Sequence, residues 1–313
     1  MINRVTRLFL TLLESYLFIV LAALMAGLFF ADTFVALNPY TTLFLQIIFL
    51  LTSLKLDLKE VMKEAKDIKM VVLSTLFMLL ILPAITFIIA NQISPSLAIP
   101  LMLLAAMPSG MTSPLLAEVV GGKQSLALVL TITTSLLAPF TIPLVINVFA
   151  GTAVTVSAMT MFTSLFTVIV IPFAIAQIIR HFWHRQLKIT FFTFKPISLL
   201  LLGLLIAGAV AKQSSIIFQS IGPAMLIQIV VLFIFVALLL IAGYHVSFWR
   251  NCSDRLTIAV CLTFLNFTLA IYLANAFFSD PNVLTMSVLI IFPWALMLLP
   301  FKYIVRKFVC PIK

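Results

Sequence analysis

The stretch that decides the fold is AAMPSGMTSPLLAEVVGG, residues 105–122. It stands inside a long apolar segment, yet Pro108 and Pro114 each remove a backbone hydrogen-bond donor. Between the prolines stand residues that add flexibility or offer hydroxyls to released backbone groups: Ser109, Gly110, Thr112 and Ser113. A freed amide or carbonyl is costly in hydrocarbon, so a break persists only where protein or a cavity surrounds it. The pattern predicts an interrupted membrane helix; a proline kink stabilised by hydroxyls is the alternative.

The composition around this stretch is that of a membrane protein. Hydrophobic residues make up 64% of the 313 residues and charged residues 9%, against roughly 25% charged in soluble domains. This excludes a soluble globular enzyme and a disordered chain. At about 20 residues per crossing, the chain is predicted to be an all-α polytopic membrane protein with ten transmembrane helices. The predicted spans are 9–30, 40–54, 70–91, 97–118, 124–149, 156–179, 196–211, 223–248, 256–278 and 282–304.

The basic residues predict the orientation. Eighteen of the 19 Lys and Arg residues fall at the termini or on alternate connections, and Lys212 alone falls on the opposite side. Basic connections stay in the cytoplasm, so we expect a multi-pass inner-membrane protein with both termini cytoplasmic. The net charge of +10 therefore indicates topology, not nucleic-acid binding. The most charged segment, 55–69, is predicted to be a solvated helical turn or two.

The chain also contains a weak internal repeat. At an offset of 154 positions, the fifth predicted span aligns with the tenth through four identities: Leu130 with Leu284, Thr131 with Thr285, Pro139 with Pro293, and Leu144 with Leu298. The same offset aligns spans three and four with spans eight and nine. Five spans are an odd number, so the two halves would cross the membrane in opposite directions, as in many secondary transporters. We predict two inverted five-helix repeats, 1–154 and 155–313.

The offset pairs Thr112 with Asn266, a polar residue deep inside the ninth apolar span. A second helix break that lines a cavity is one interpretation; an interhelical hydrogen bond that stabilises packing is the other. Two breaks at matching positions would place four half-helix ends near mid-membrane, where N-terminal ends suit anions and released carbonyls suit cations. The candidate binding residues are Ser109, Gly110, Thr112, Ser113, Thr131, Thr134, Thr263, Asn266 and Thr268.

Several stretches are similar to a known family. They are FFADTFVALNPY (29–40), LQIIFLLTSLKLDLKEV (45–61), MPSGMTSPLLAEVVGGKQSLALVLTITTSLLAP (107–139) and LTIAV (256–260). Over nearly its whole length the chain resembles the bile acid:sodium symporter family. The resemblance implies a core domain of spans 3–5 and 8–10 and a panel domain of spans 1, 2, 6 and 7. It also implies discontinuous helices four and nine that cross, and sodium-coupled uptake of organic anions such as steroid acids or pantoate-like carboxylates.

The resemblance also bears on the coupling ion. Ser113 and Thr131 match positions of sodium ligands in the family and are the candidate sodium ligands here. Other ligand positions have changed: Pro114 stands for Asn, Met78 for Gln, Ala259 for Glu and Thr263 for Gln. The nine acidic residues all lie in connections or near span ends. The resemblance therefore implies a bacterial-type member with a degenerate sodium site, and no other cofactor is predicted.

The predicted function is secondary transport of a small organic, anionic solute by alternating access. The alternatives are a sodium-independent exporter or facilitator, and a non-transporting membrane sensor or scaffold. An enzyme is not expected, since an intramembrane hydrolase needs paired aspartates, a Ser/His pair or HExxH within the membrane, and the sequence has none. The expected partners are the lipid bilayer and an organic acid, with no nucleic acid and no obligatory protein.

Overall fold

The computed structural model describes residues 16–56, 68–151, 157–212, 214–215, 222–305 and 307. The start of the first predicted span, 9–15, and most of the predicted solvated turn, 57–67, lie outside the described residues. Within the described ranges the chain is helical and contains no β-strand. The all-α prediction is confirmed for this part of the chain.

The helices follow the predicted apolar segments closely. In chain order they are α1 Tyr16–Phe29, α2 Thr41–Ser53, α3 Ile68–Ile93, α4 Pro95–Ala105, α5 Ser113–Val120, α6 Gln124–Ala150, α7 Ala158–Trp183, α8 Thr193–Lys212, α9 Pro223–Val246, α10 Cys252–Thr263, α11 Phe267–Phe277 and α12 Pro281–Ile304. Two short helical turns precede α2. Among the described residues, seven segments are long and apolar enough to cross a membrane, and α1, α4 and α11 contain shorter apolar helices. The chain is a multi-pass membrane protein.

The outer surface of these helices is apolar. On α9, the side chains of Leu226, Ile234 and Leu238 are exposed, whereas Leu232 and Val236 are buried against the neighbouring helices. A soluble monomer rarely exposes a continuous apolar face of this kind. In a bilayer the same face contacts lipid tails, so the helix is stable there without further cover.

Two helices are interrupted. Helix α4 ends at Ala105 and α5 begins at Ser113, while α10 ends at Thr263 and α11 begins at Phe267. The interruption at Pro108 is therefore a true break and not a simple proline kink. Phe267 follows Ser113 by 154 residues, which is the offset of the predicted repeat.

A buried ion pair holds the two interrupted helices together. Asp254, only 1% exposed at the start of α10, contacts Lys123 Nζ at 2.7 Å and Arg250 at 2.9 Å. The Ser253 hydroxyl donates a hydrogen bond to the Gly121 carbonyl at 3.0 Å. These contacts join the loop that follows α5 to the first turn of α10, so the breaks keep a fixed relative position.

Candidate functional site

The two breaks cross each other and form an isolated antiparallel bridge. The Gly110 N–H donates to the Phe264 carbonyl at 2.9 Å, and the Asn266 N–H donates to the Pro108 carbonyl at 2.9 Å. Unpaired backbone groups in a membrane cost several kcal/mol each. Each break therefore satisfies backbone groups that the other releases, and neither break is stable alone.

The two backbones approach so closely at position 110 that only glycine fits there. A Cβ atom added at this position would lie 2.6 Å from the Phe264 carbonyl oxygen and 3.1 Å from that of Leu265. The sequence suggested that Gly110 adds flexibility. In the structure, the absence of a side chain is what allows the crossing.

Four of the candidate hydroxyl residues lie inside the crossing and are fully buried. The Ser109 N–H donates to Thr134 Oγ1 at 3.2 Å, and Thr131 Oγ1 donates to Ser109 Oγ at 3.2 Å. Ser113 Oγ donates to the Phe264 carbonyl at 2.9 Å. These four residues are hydrogen-bonded within the protein and stabilise the crossing, and none of the four lines the neighbouring cavity.

A cavity of about 290 Å³ lies beside the crossing, between it and helices α2 and α8. Apolar side chains form most of its wall, among them Leu45, Phe49, Leu199, Leu202, Phe267 and Trp294. At the end formed by the helix breaks it is lined by Gly110, Thr112, Asn266 and Thr268. The remaining candidate, Thr263, lies on a separate cavity of about 10 Å³, and its hydroxyl has no partner among the described residues.

Three polar side chains at this end have free hydrogen-bonding capacity. Asn266 caps α11, because its side-chain oxygen accepts from the Leu269 N–H at 3.2 Å. Within the described part of the chain, its amide NH2 and the hydroxyls of Thr112 and Thr268 have no hydrogen-bond partner. An amide NH2 offers two donors and each hydroxyl offers one. A bound molecule with acceptor groups fits this end of the cavity.

The opposite end of the cavity contains two lysines that the sequence analysis did not single out. Lys55 and Lys195 both line it, and Lys55 Nζ lies 6.0 Å from the centre of the Phe194 ring. Burial, and secondly the charge of Lys195, lower the pKa of Lys55 below its usual range. The partition of basic residues between the two sides of the membrane already explained both lysines. The sequence does not show that these two span ends, 140 residues apart, meet in the fold.

The residues that replace sodium ligands are closely packed. Ala259 is fully buried against α9, where a Cβ on Gly243 would lie 2.6 Å from the Ala259 Cα. Met78 is also buried. The hydroxyls of Ser113 and Thr131 donate to protein oxygens. In the described part of the chain, no three His, Cys, Asp or Glu residues lie close enough together to hold a metal ion. The buried Ala259 and Met78 side chains therefore offer no oxygen to a sodium ion.

Comparison with known proteins agrees with this architecture. The model of the sodium bile acid symporter family matches residues 42–220. No curated protein matches the chain significantly. The matched region is more than half of the chain and contains the first break, α6, Lys55 and Lys195. The chain therefore belongs to the sodium bile acid symporter family.

Proposed function

We propose that this protein is a secondary transporter that carries a small organic anion by alternating access. In this proposal the chain forms two inverted repeats, 1–154 and 155–313, with ten spans. Helices α3–α6 and α9–α12 form the core, and α1, α2, α7 and α8 form the panel. The matching starts of α5 and α11 support the repeat, and the partition of basic residues supports the number of spans.

The observation that carries the proposal is the cavity between the crossed breaks and α2 with α8. It lies where a core and a panel would move against each other, so movement would expose it to either side. Helices α5 and α11 begin at the end of the cavity formed by the helix breaks. Their N-terminal ends carry partial positive charge. Among the described residues no carboxylate lines the cavity, and most of its wall is apolar, which favours an organic anion.

Contacts at the end of the molecule opposite the lysines support an inward-open state. Tyr272 OH lies 2.7 Å from Ser164 Oγ, and Asn275 Nδ2 donates to Asn38 Oδ1 at 2.8 Å. Both contacts join α11 to the proposed panel. The positive-inside rule puts the lysine end in the cytoplasm. The cavity would then face the cytoplasm, with the external side closed, both termini cytoplasmic and the chain in the inner membrane.

Uptake into proteoliposomes tests the proposal. We expect saturable uptake of at least one acid from a panel of steroid, aromatic and short aliphatic acids, with sodium and proton gradients imposed separately. Thr112→Val should raise KM about fivefold without lowering the melting temperature, since a hydrogen bond between neutral groups contributes about 0.5–1.5 kcal/mol. Thr141→Val is the control, because the Thr141 hydroxyl bonds only its own helix, at the Leu137 carbonyl. Absence of uptake, or equal behaviour of both variants, would reject the proposal.

The close packing around Ala259 favours transport that does not depend on sodium. We expect the melting temperature to be equal in sodium and potassium at equal ionic strength. Ala259→Glu should lower it in both, because a carboxylate there would be buried without a partner, close to Gly243. A sodium-specific rise in the melting temperature of the unmodified protein, lost in Thr131→Ala, would show that the remaining oxygens bind sodium.

A further inference from the structure

We propose that Lys55 and Lys195 form a fixed cation pair that binds the acidic group of the transported solute. The acidic group lies at the lysine end, and an apolar body extends to the helix crossing, where Thr112, Asn266 and Thr268 donate to an acceptor on the far end. This inference rests on the proposed transport function and assigns the substrate's orientation within it.

The geometry of α2 and α8 places the two charges together. Lys55 follows the end of α2 at Ser53, and Lys195 lies on α8 next to Pro196. Helix α2 packs against the kinked helix Ile171–Lys212, which contains α8, and both lysines line one cavity. Within the described residues, neither ammonium has a carboxylate partner. Two like charges in a partly desolvated site repel each other, and a bound anion would remove this repulsion.

Three other basic groups near the membrane surface are already engaged. Lys123 and Arg250 pair with Asp254, and the Arg255 guanidinium stacks 3.7 Å from the centre of the Tyr244 ring. Ala259, buried at the position of an acidic sodium ligand in the family, supplies no charged group. An anion in a low-dielectric cavity needs a counter-charge. Of the described cations, only Lys55 and Lys195 line this cavity.

The dimensions and walls of the cavity define a suitable probe. The cavity volume of about 290 Å³ lies at the lower end of the range of ligand pockets, about 300–1,000 Å³, so the cavity suits a small solute. The aromatic side chains of Phe49, Phe267 and Trp294 line it. Naphthalene-2-sulfonate has a flat apolar body and a permanent negative charge, and naphthalene-2-sulfonamide is its neutral counterpart. The difference between their affinities measures the contribution of the charge.

The experiment measures Kd for both probes by equilibrium dialysis, with the full chain in phosphatidylcholine nanodiscs and sodium-free potassium buffer. The variants are Lys55→Gln, Lys195→Gln, the double Gln variant and the double Arg variant. Lys69→Gln is the matched control, because Lys69 is an exposed lysine at the start of α3 outside the cavity. Melting temperatures establish that each variant is folded.

We expect the unmodified protein to bind the sulfonate at least tenfold more tightly than the sulfonamide. Each single Gln variant should reduce this preference, and the double Gln variant should abolish it. The double Arg variant and Lys69→Gln should retain it, and added salt should weaken sulfonate binding. A double Gln variant that keeps the full preference would overturn the proposal.

Two further arms separate the possible reasons for failure. Phosphatidylglycerol in the nanodiscs should leave sulfonate binding within twofold; its loss would assign the lysines to a lipid headgroup and overturn the proposal. Unchanged transport KM for the sulfonate in the double Gln variant would reject the lysine site and leave transport standing. If the unmodified protein neither binds nor transports any acid, both the lysine site and the transport function are wrong.

Discussion

Gly110→Ala is expected to abolish transport and to lower the melting temperature. The added methyl group would lie 2.6 Å from the Phe264 carbonyl oxygen, so the two breaks must separate. Overpacking of this kind costs about 1–3 kcal/mol, and the hydrogen bond from the Gly110 N–H to Phe264 would also be weakened. Thermal unfolding in detergent and uptake in proteoliposomes measure the two effects.

Gly203→Ala is the matched control for this substitution. Its added Cβ would meet only side-chain atoms, the nearest being Ile19 Cγ2 at 3.2 Å, and alanine favours the helix by up to about 1 kcal/mol. We expect near-normal transport and stability. If Gly110→Ala behaved like Gly203→Ala, close contact of the two backbones would not be a requirement of the fold.

The second large effect is expected when two hydrogen bonds that close the external side of the protein are removed. Tyr272→Phe combined with Asn275→Ala removes hydrogen bonds that join α11 to Ser164 and Asn38. Each such bond contributes about 0.5–1.5 kcal/mol, so the balance between inward-open and outward-open states should shift roughly tenfold. A cysteine at Thr112, in a protein without its native cysteines, should then react about tenfold faster with an impermeant maleimide added outside.

Tyr303→Phe serves as the control for this labelling, because the exposed Tyr303 contacts Lys307 and lies away from the external side in the proposed topology. Its labelling rate should match that of the parent protein. An unchanged rate in the Tyr272→Phe, Asn275→Ala variant would mean that these hydrogen bonds do not hold the external side closed.

The first break could be predicted from the sequence because its cause is local, whereas the second is one of two interpretations of Asn266. Pro108 and Pro114 remove donors whatever the surroundings, and the offset of 154 then indicates Asn266. The role of each hydroxyl could not be predicted in this way. Ser113 and Thr112 are adjacent, yet Ser113 binds the opposite break while Thr112 lines the cavity. That difference depends on where α5 begins, which the crossing determines.

The proximity of the two cavity lysines, Lys55 and Lys195, depends on tertiary packing. Lys55 and Lys195 belong to connections that the charge pattern already explains, so the sequence provides no reason to separate them from other cytoplasmic lysines. Their proximity results from the packing of α2 against the kinked helix that contains α8. Long-range convergence of this kind cannot be detected from periodicity or local motifs in a single chain.

Counterflow tests the central claim of transport by alternating access most directly. Proteoliposomes are loaded with unlabelled naphthalene-2-sulfonate in sodium-free buffer and diluted into a trace of the labelled compound. A carrier whose cavity faces one side at a time should exchange the two, so labelled probe should accumulate transiently above its equilibrium level. Liposomes with the Gly110→Ala variant should show no such overshoot. Equilibration at the same rate with and without preloading in the unmodified protein would contradict alternating access.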